Sequence, residues 1–122
     1  ISKNEISSKL LASYIFEPDV ARYSEDILSF AESDDDYDIK EYRVNSDNPL
    51  TGMAYNAVFL QLKKESNVIL IGLSKVKDGE RNLIKNPSYD INIETGDFLI
   101  MIMNGAASMK IEALFKTEEG GF

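Results

Sequence analysis

The ten residues Glu94-Thr-Gly-Asp-Phe-Leu-Ile-Met-Ile-Met103 decide the reading of this chain. A polar turn, Glu94 to Asp97, runs into six consecutive apolar residues, Phe98 to Met103, and an unbroken apolar run of strand length predicts burial on both faces. This is the expected central strand. Upstream, Val68 to Leu73 is a second apolar run of strand length, and Lys77-Asp78-Gly79-Glu80 separates it from an extended stretch, Arg81 to Lys85. Asp-Gly between two strand-like runs predicts a hairpin, because both central residues of a type I′ turn need positive φ. Asn86-Pro87 then breaks the strand, and Tyr89 to Ile93 reads as a short edge.

Further out, Ile39 to Val44 is predicted as a strand and Asn45 to Asn48 with Pro49 as a loop. Gly52 to Glu65 carries Met53, Val58, Leu60 and Leu62 among good helix formers, and Lys63 and Lys64 complement the helix dipole near its C-terminal end. Met109 to Lys116, with Ile111, Leu114 and Phe115, closes the pattern as a helix. The fold class is therefore α+β, a small mixed or antiparallel sheet with packed helices.

Two short helices precede it. Leu10, Leu11, Tyr14 and Ile15 share one face at helical spacing, with Ser7 or Ser8 as N-cap. Pro18 stops that helix, and a second begins at once with Val20, Tyr23, Ile27 and Phe30 on one stripe and Asp19 near its start. Such stripes fit either the domain's own core or a helix-turn-helix arm laid against a partner subunit. The organisation read from the chain is a helical arm over residues 1–32, an acidic linker over 33–38, an α+β lobe over 39–117 and a tail over 118–122.

Charge is concentrated at the junction. The 122 residues carry a formal charge of -8, and Glu25 to Glu41 holds eight acids against one base, leaving thirteen acids against twelve bases elsewhere. An acidic balance opposes a nucleic-acid partner, since that affinity rests on basic residues neutralising phosphates. With no cysteine and no histidine, disulfides, thiolate chemistry, the usual zinc sites and Ser-His or Cys-His catalytic pairs are excluded. No apolar run approaches the roughly 18 residues of a membrane-spanning helix. Ile1 in place of Met suits a piece excised from a larger protein.

Few residues offer chemistry. Asp34, Asp35, Asp36 and Asp38 together could supply oxygen ligands to calcium, but the EF-hand glycine and glutamate are absent, and a run of like charge also reads as a solvated linker. Gly72, Gly79, Gly96 and Gly105 are spaced as turn residues, not as a phosphate loop. Glu94 with Asp97 reads as turn chemistry before a strand. No enzyme activity is expected.

The order of these elements resembles the C-terminal lobe of RCK domains, also called the TrkA-C family. Asn48-Pro-Leu-Thr-Gly52, Asn67-Val-Ile-Leu-Ile-Gly-Leu73, Asn86-Pro-Ser-Tyr-Asp-Ile-Asn-Ile93 and Glu94-Thr-Gly-Asp-Phe-Leu-Ile-Met-Ile102 carry the likeness over about Ile39 to Asn104. The helices around Pro18 resemble the family's crossover helices, which swap between subunits of a dimer; the nucleotide-binding lobe is not in this sequence. The resemblance implies a homodimer or higher assembly at the cytoplasmic face of the cell membrane, coupling a ligand to an attached pore or carrier. That carrier is a potassium channel or potassium transporter, with an anion transporter or antiporter as the alternative. It also implies a ligand: calcium in some members, a cyclic dinucleotide in others. Leu60 and Asn67 match the apolar and amide positions of the dinucleotide pocket and Pro87 its proline, while Gln61 stands where an arginine often meets the phosphate.

Overall fold

The apolar run does become the central strand, and the reason is visible in what pairs with it on either side. The structure, a computed structural model, describes residues 17–28 and 36–115. In chain order it contains α1 (Pro18–Leu28), β1 (Tyr37–Arg43), α2 (Tyr55–Ser66), β2 (Ile69–Lys77), β3 (Glu80–Lys85), β4 (Phe98–Asn104) and α3 (Gly105–Phe115). The strands form one sheet in the order β1-β4-β2-β3, antiparallel throughout. The α+β class is as expected, with "mixed" resolved to antiparallel.

Burial divides β4 by face. Leu99, Met101 and Met103 are fully buried in one cluster with Val58 and Leu62 of α2 and Ile111 and Phe115 of α3. Each such side chain removed from water stabilises the fold by about 1.5–3 kcal/mol. Ile100 and Ile102, on the opposite face, are only half-buried. Burial on both faces thus holds completely for one face and partly for the other, because the cluster gathers both lobe helices on one side.

Several boundaries differ from expectation. β1 begins at Tyr37, so Asp38, read above as linker, sits in the ladder opposite Met103; backbone pairing to the long β4 extends the strand irrespective of that side chain's polarity. α2 starts at Tyr55 and not at Gly52, because Gly52 has φ 86° and its N–H donates to the Ile93 carbonyl at 2.7 Å. α3 starts four residues earlier than Met109: Asn104 Oδ1 accepts the Ala107 N–H at 2.8 Å and caps the helix where β4 ends. The expected edge at Tyr89 to Ile93 is one bridge, Asn92 with Ala54, because its neighbours bond instead to the turn before α2.

The hairpin turn is as expected, with Asp78 at φ 53° and Gly79 at φ 80° between Lys77 and Glu80. Pro18 is the first residue of α1, where its missing N–H costs nothing. α1 lies against β1, but the stripe divides: Val20 and Tyr23 are exposed, Ile27 is buried, and Ala21 is buried off the stripe. The Leu10 to Ile15 stripe, Phe30, Asp34, Asp35 and the tail lie outside the described residues.

Candidate functional site

The antiparallel order sets two groups of polar side chains at opposite ends of the sheet. One end holds Arg43 of β1, the start of β4 and Lys75 late in β2; the other holds Tyr37, Asn104 and the start of β2.

At the first end the polar groups are used up internally. Asp97 is 3% exposed, and its Oδ2 accepts from the Glu94 backbone N–H at 2.8 Å and from Lys75 Nζ at 2.7 Å. Lys75 also donates to the Asn92 carbonyl at 2.7 Å, and Glu94 lies 3.6 Å away. Gly96, at φ 94°, lets the turn close so that its N–H reaches the Val44 carbonyl. The turn reading of Glu94 and Asp97 is what the geometry has. Lys75 as Asp97's partner was not singled out from sequence, since the two are 22 residues apart and only the β2–β4 pairing joins them.

At the other end the side chains are exposed. Asn67 ends α2 in the left-handed conformation, φ 54° and ψ 44°, a backbone state that asparagine tolerates better than most residues. Its Oδ1 accepts from Lys63 Nζ at 2.7 Å and its Nδ2 donates to the Tyr37 hydroxyl at 3.0 Å. Leu60, seven residues before Asn67 on α2, is an apolar side chain left 66% exposed. Gln61 is half-buried on the next position of α2. Pro87 is half-buried two residues past β3, whose last residue, Lys85, pairs with Gly72 of β2. Of the four pocket residues implied by the resemblance, Asn67 meets Lys63 and Tyr37, while Leu60 and Gln61 lie further back on α2 and Pro87 lies past the end of β3. Tyr37 was hidden from sequence reading because it fell inside the expected linker.

The acidic run is divided. Asp36 is exposed and Asp38 half-buried in β1, while Asp34 and Asp35 lie outside the described residues. Among the described residues no group of three acids is placed to hold a metal ion.

Two supports frame α2. Ala54 at its start offers no side-chain cap; Asp90 Oδ1, 34 residues later, accepts the Asn56 N–H at 3.1 Å, and the Ile91 carbonyl accepts the Tyr55 N–H at 2.7 Å. The buried Tyr55 hydroxyl donates to the Leu70 carbonyl at 3.1 Å, and burial pushes its phenol from 10.0 up to about 12. Together these pin α2 onto β2, so that the Leu60 to Asn67 surface is carried by a fixed helix.

No family model matches the chain, and no curated protein is significantly similar to it in sequence. Solved structures do match. The GsuK RCK domain aligns with a TM-score of 0.54 at 12% identity, over 95% of this chain and 22% of that one. BusR of S. agalactiae aligns in complex with its busAB-promotor DNA (TM-score 0.51, 16% identity, 93% of this chain and 54% of that one). It also aligns in complex with its busA-promotor DNA (TM-score 0.51, 18% identity, 93% and 56%). The chain thus spans between about a fifth and just over half of these neighbours. Among the described residues no helix is long and apolar enough to cross a membrane. At these identities the likeness is one of fold: the chain is built like an RCK lobe.

Proposed function

We propose that this chain is the ligand-sensing regulatory lobe of a potassium channel or potassium transporter, acting as a dimer on the cytoplasmic side of the membrane and performing no chemistry itself. The observation that carries this reading is the likeness in fold to the GsuK RCK domain over 95% of the chain. Exposed Val20 and Tyr23 on α1 support a partner for the helical arm. A ligand shifts a gate only by binding one arrangement of lobes better than another, and a site at the exposed end of a lobe is placed to meet a second copy.

The chemistry of the Asn67 end favours a cyclic dinucleotide over calcium. Lys63, the Asn67 amide and the Tyr37 hydroxyl are hydrogen-bond donors suited to phosphate oxygens, and Leu60 and Pro87 offer apolar surface to a base. Gln61 contributes a neutral amide where a guanidinium would make the stronger charge-assisted bond, so affinity is expected to be modest. A second reading, an effector-sensing lobe attached to a DNA-binding segment, draws on the BusR complexes. Outside the acidic window the charges nearly balance, so the lobe has no excess of basic residues for phosphates and is the sensing part in that reading as well.

Light scattering on the 122-residue chain at tens of micromolar, with and without cyclic di-AMP, tests the reading. A dimer whose population rises with ligand is expected; a strict monomer under both conditions removes the coupling mechanism.

A further inference from the structure

β1 is held unevenly along its length. As an edge strand it pairs with β4 alone among the described strands. Its late residues are anchored in the lobe: Tyr42 is fully buried, its hydroxyl donates to Glu112 Oε2 at 3.0 Å, its ring centre stands 5.8 Å from that of Phe115, and Glu41 takes Arg81 at 3.1 Å. The first residue is held more lightly. Tyr37 is 38% exposed; it takes its ladder place opposite Asn104, and its hydroxyl accepts from Asn67 Nδ2 at 3.0 Å. The helical arm depends on this strand. Among the described elements α1 touches β1 and no other, and its two buried side chains, Ala21 and Ile27, lie outside the lobe's core cluster. The chain passes from α1 into β1 at Tyr37, the end that the burial of Tyr42 does not fix.

We propose that Tyr37 is the joint between the Asn67 end and the helical arm: its hydroxyl takes the Asn67 amide, so the state of that amide sets how firmly the start of β1, and α1 upon it, is held. For its ligand the joint rests on the function proposed for the Asn67 end. Lys63, bonded to Oδ1 of the same amide at 2.7 Å, keeps the Nδ2 side turned toward Tyr37. A tyrosine hydroxyl that accepts one bond still has its own proton to donate. A phosphate oxygen bound at this end is therefore met by Tyr37 and Asn67 together, and it extends the tie instead of breaking it. The differential affinity that moves an arm then lies in one contact: the ligand gains the Tyr37 bond when the start of β1 is docked and loses it when that start lifts away.

Hydrogen–deuterium exchange of the full chain, read on peptides covering α1 and β1, is the test. Without ligand, Tyr37→Phe and Asn67→Gly are each expected to speed exchange in both elements about threefold, as loss of one exposed hydrogen bond allows. The double variant is expected to go no further, because the two substitutions remove one shared bond. The β2–β3 hairpin is expected to keep its rates. With saturating cyclic di-AMP, α1 is expected to slow in the parent chain and not in Tyr37→Phe. Unchanged α1 exchange in ligand-free Tyr37→Phe, additive effects in the double variant, or equal slowing of α1 by the dinucleotide in Tyr37→Phe would each overturn the joint. No slowing of the parent chain by cyclic di-AMP would instead remove the ligand, and the ligand-free rates then decide the joint by themselves.

Discussion

The two ends of the sheet spend their polar groups differently. At the Asp97 end a carboxylate 3% exposed is saturated by an ammonium and a backbone N–H, and Lys75 has its own second acceptor. At the Asn67 end an amide, a hydroxyl and an ammonium meet in the open, on a helix that also leaves a leucine exposed. Groups buried and mutually satisfied hold a fold together, whereas exposed pairs contribute little to stability and exchange partners readily. The first end is built as architecture, and the second is the end for which recognition is proposed.

If that division is right, substitutions at the two ends differ first in stability. Asp97→Ala leaves the Glu94 N–H without its acceptor and Lys75 without its closest acid. A loss of about 3 kcal/mol is expected in urea unfolding, from the cost of breaking a buried pair. A loss below about 0.5 kcal/mol would make the turn dispensable. Gly72→Ala, midway along β2, comes next: a Cβ there would sit 2.6 Å from the Ile84 carbonyl oxygen, and forcing β3 away costs about 2 kcal/mol by analogy with overpacking. Thermal melting reads it, with an unchanged midpoint refuting the close approach.

A smaller effect is expected at the α2 support. Tyr55→Phe deletes one buried hydrogen bond and is expected to cost about 1 kcal/mol. Tyr55 keeps its proton to about 12 in the folded chain against 10.0 ordinarily. A raised folded value stabilises below the unfolded pKa and is lost as pH climbs through the folded one. The stability from Tyr55 is therefore complete below pH 10 and lost between pH 10 and about 12. Absorbance at 295 nm should show a late phase that Tyr55→Phe removes. The smallest stability change is expected from Asn67→Gly, which keeps the left-handed backbone and deletes only the amide: a few tenths of a kcal/mol.

Local signals were the legible part. Asp78-Gly79, the run from Phe98 to Met103 and Pro18 each announce a turn, strand or helix start from neighbours within a few residues, and each is in place. What sequence reading missed depends on pairs distant along the chain. Asp90 caps a helix 34 residues upstream, Lys75 finds Asp97 across a ladder, and Tyr37 reaches Asn67 over 30 residues. No periodicity encodes such meetings, since the sheet order creates them. Asn104 is a different case: Asn-Gly-Ala-Ala after an apolar strand carried a capping signal that the weight of the strand obscured. Of the residues in the proposed recognition site, Leu60, Gln61, Asn67 and Pro87 came from likeness to a family, and the geometry adds Lys63 and Tyr37 as partners of Asn67.

The assignment of recognition to the Asn67 end is tested most directly by calorimetric titration of cyclic di-AMP into the chain and into Asn67→Gly, with calcium chloride as a parallel titrant. Saturable heat with the dinucleotide is expected in the parent chain, reduced at least tenfold in affinity in Asn67→Gly while the melting midpoint stays within a few degrees. Equal affinity in the two proteins, or heat from calcium alone, would contradict it.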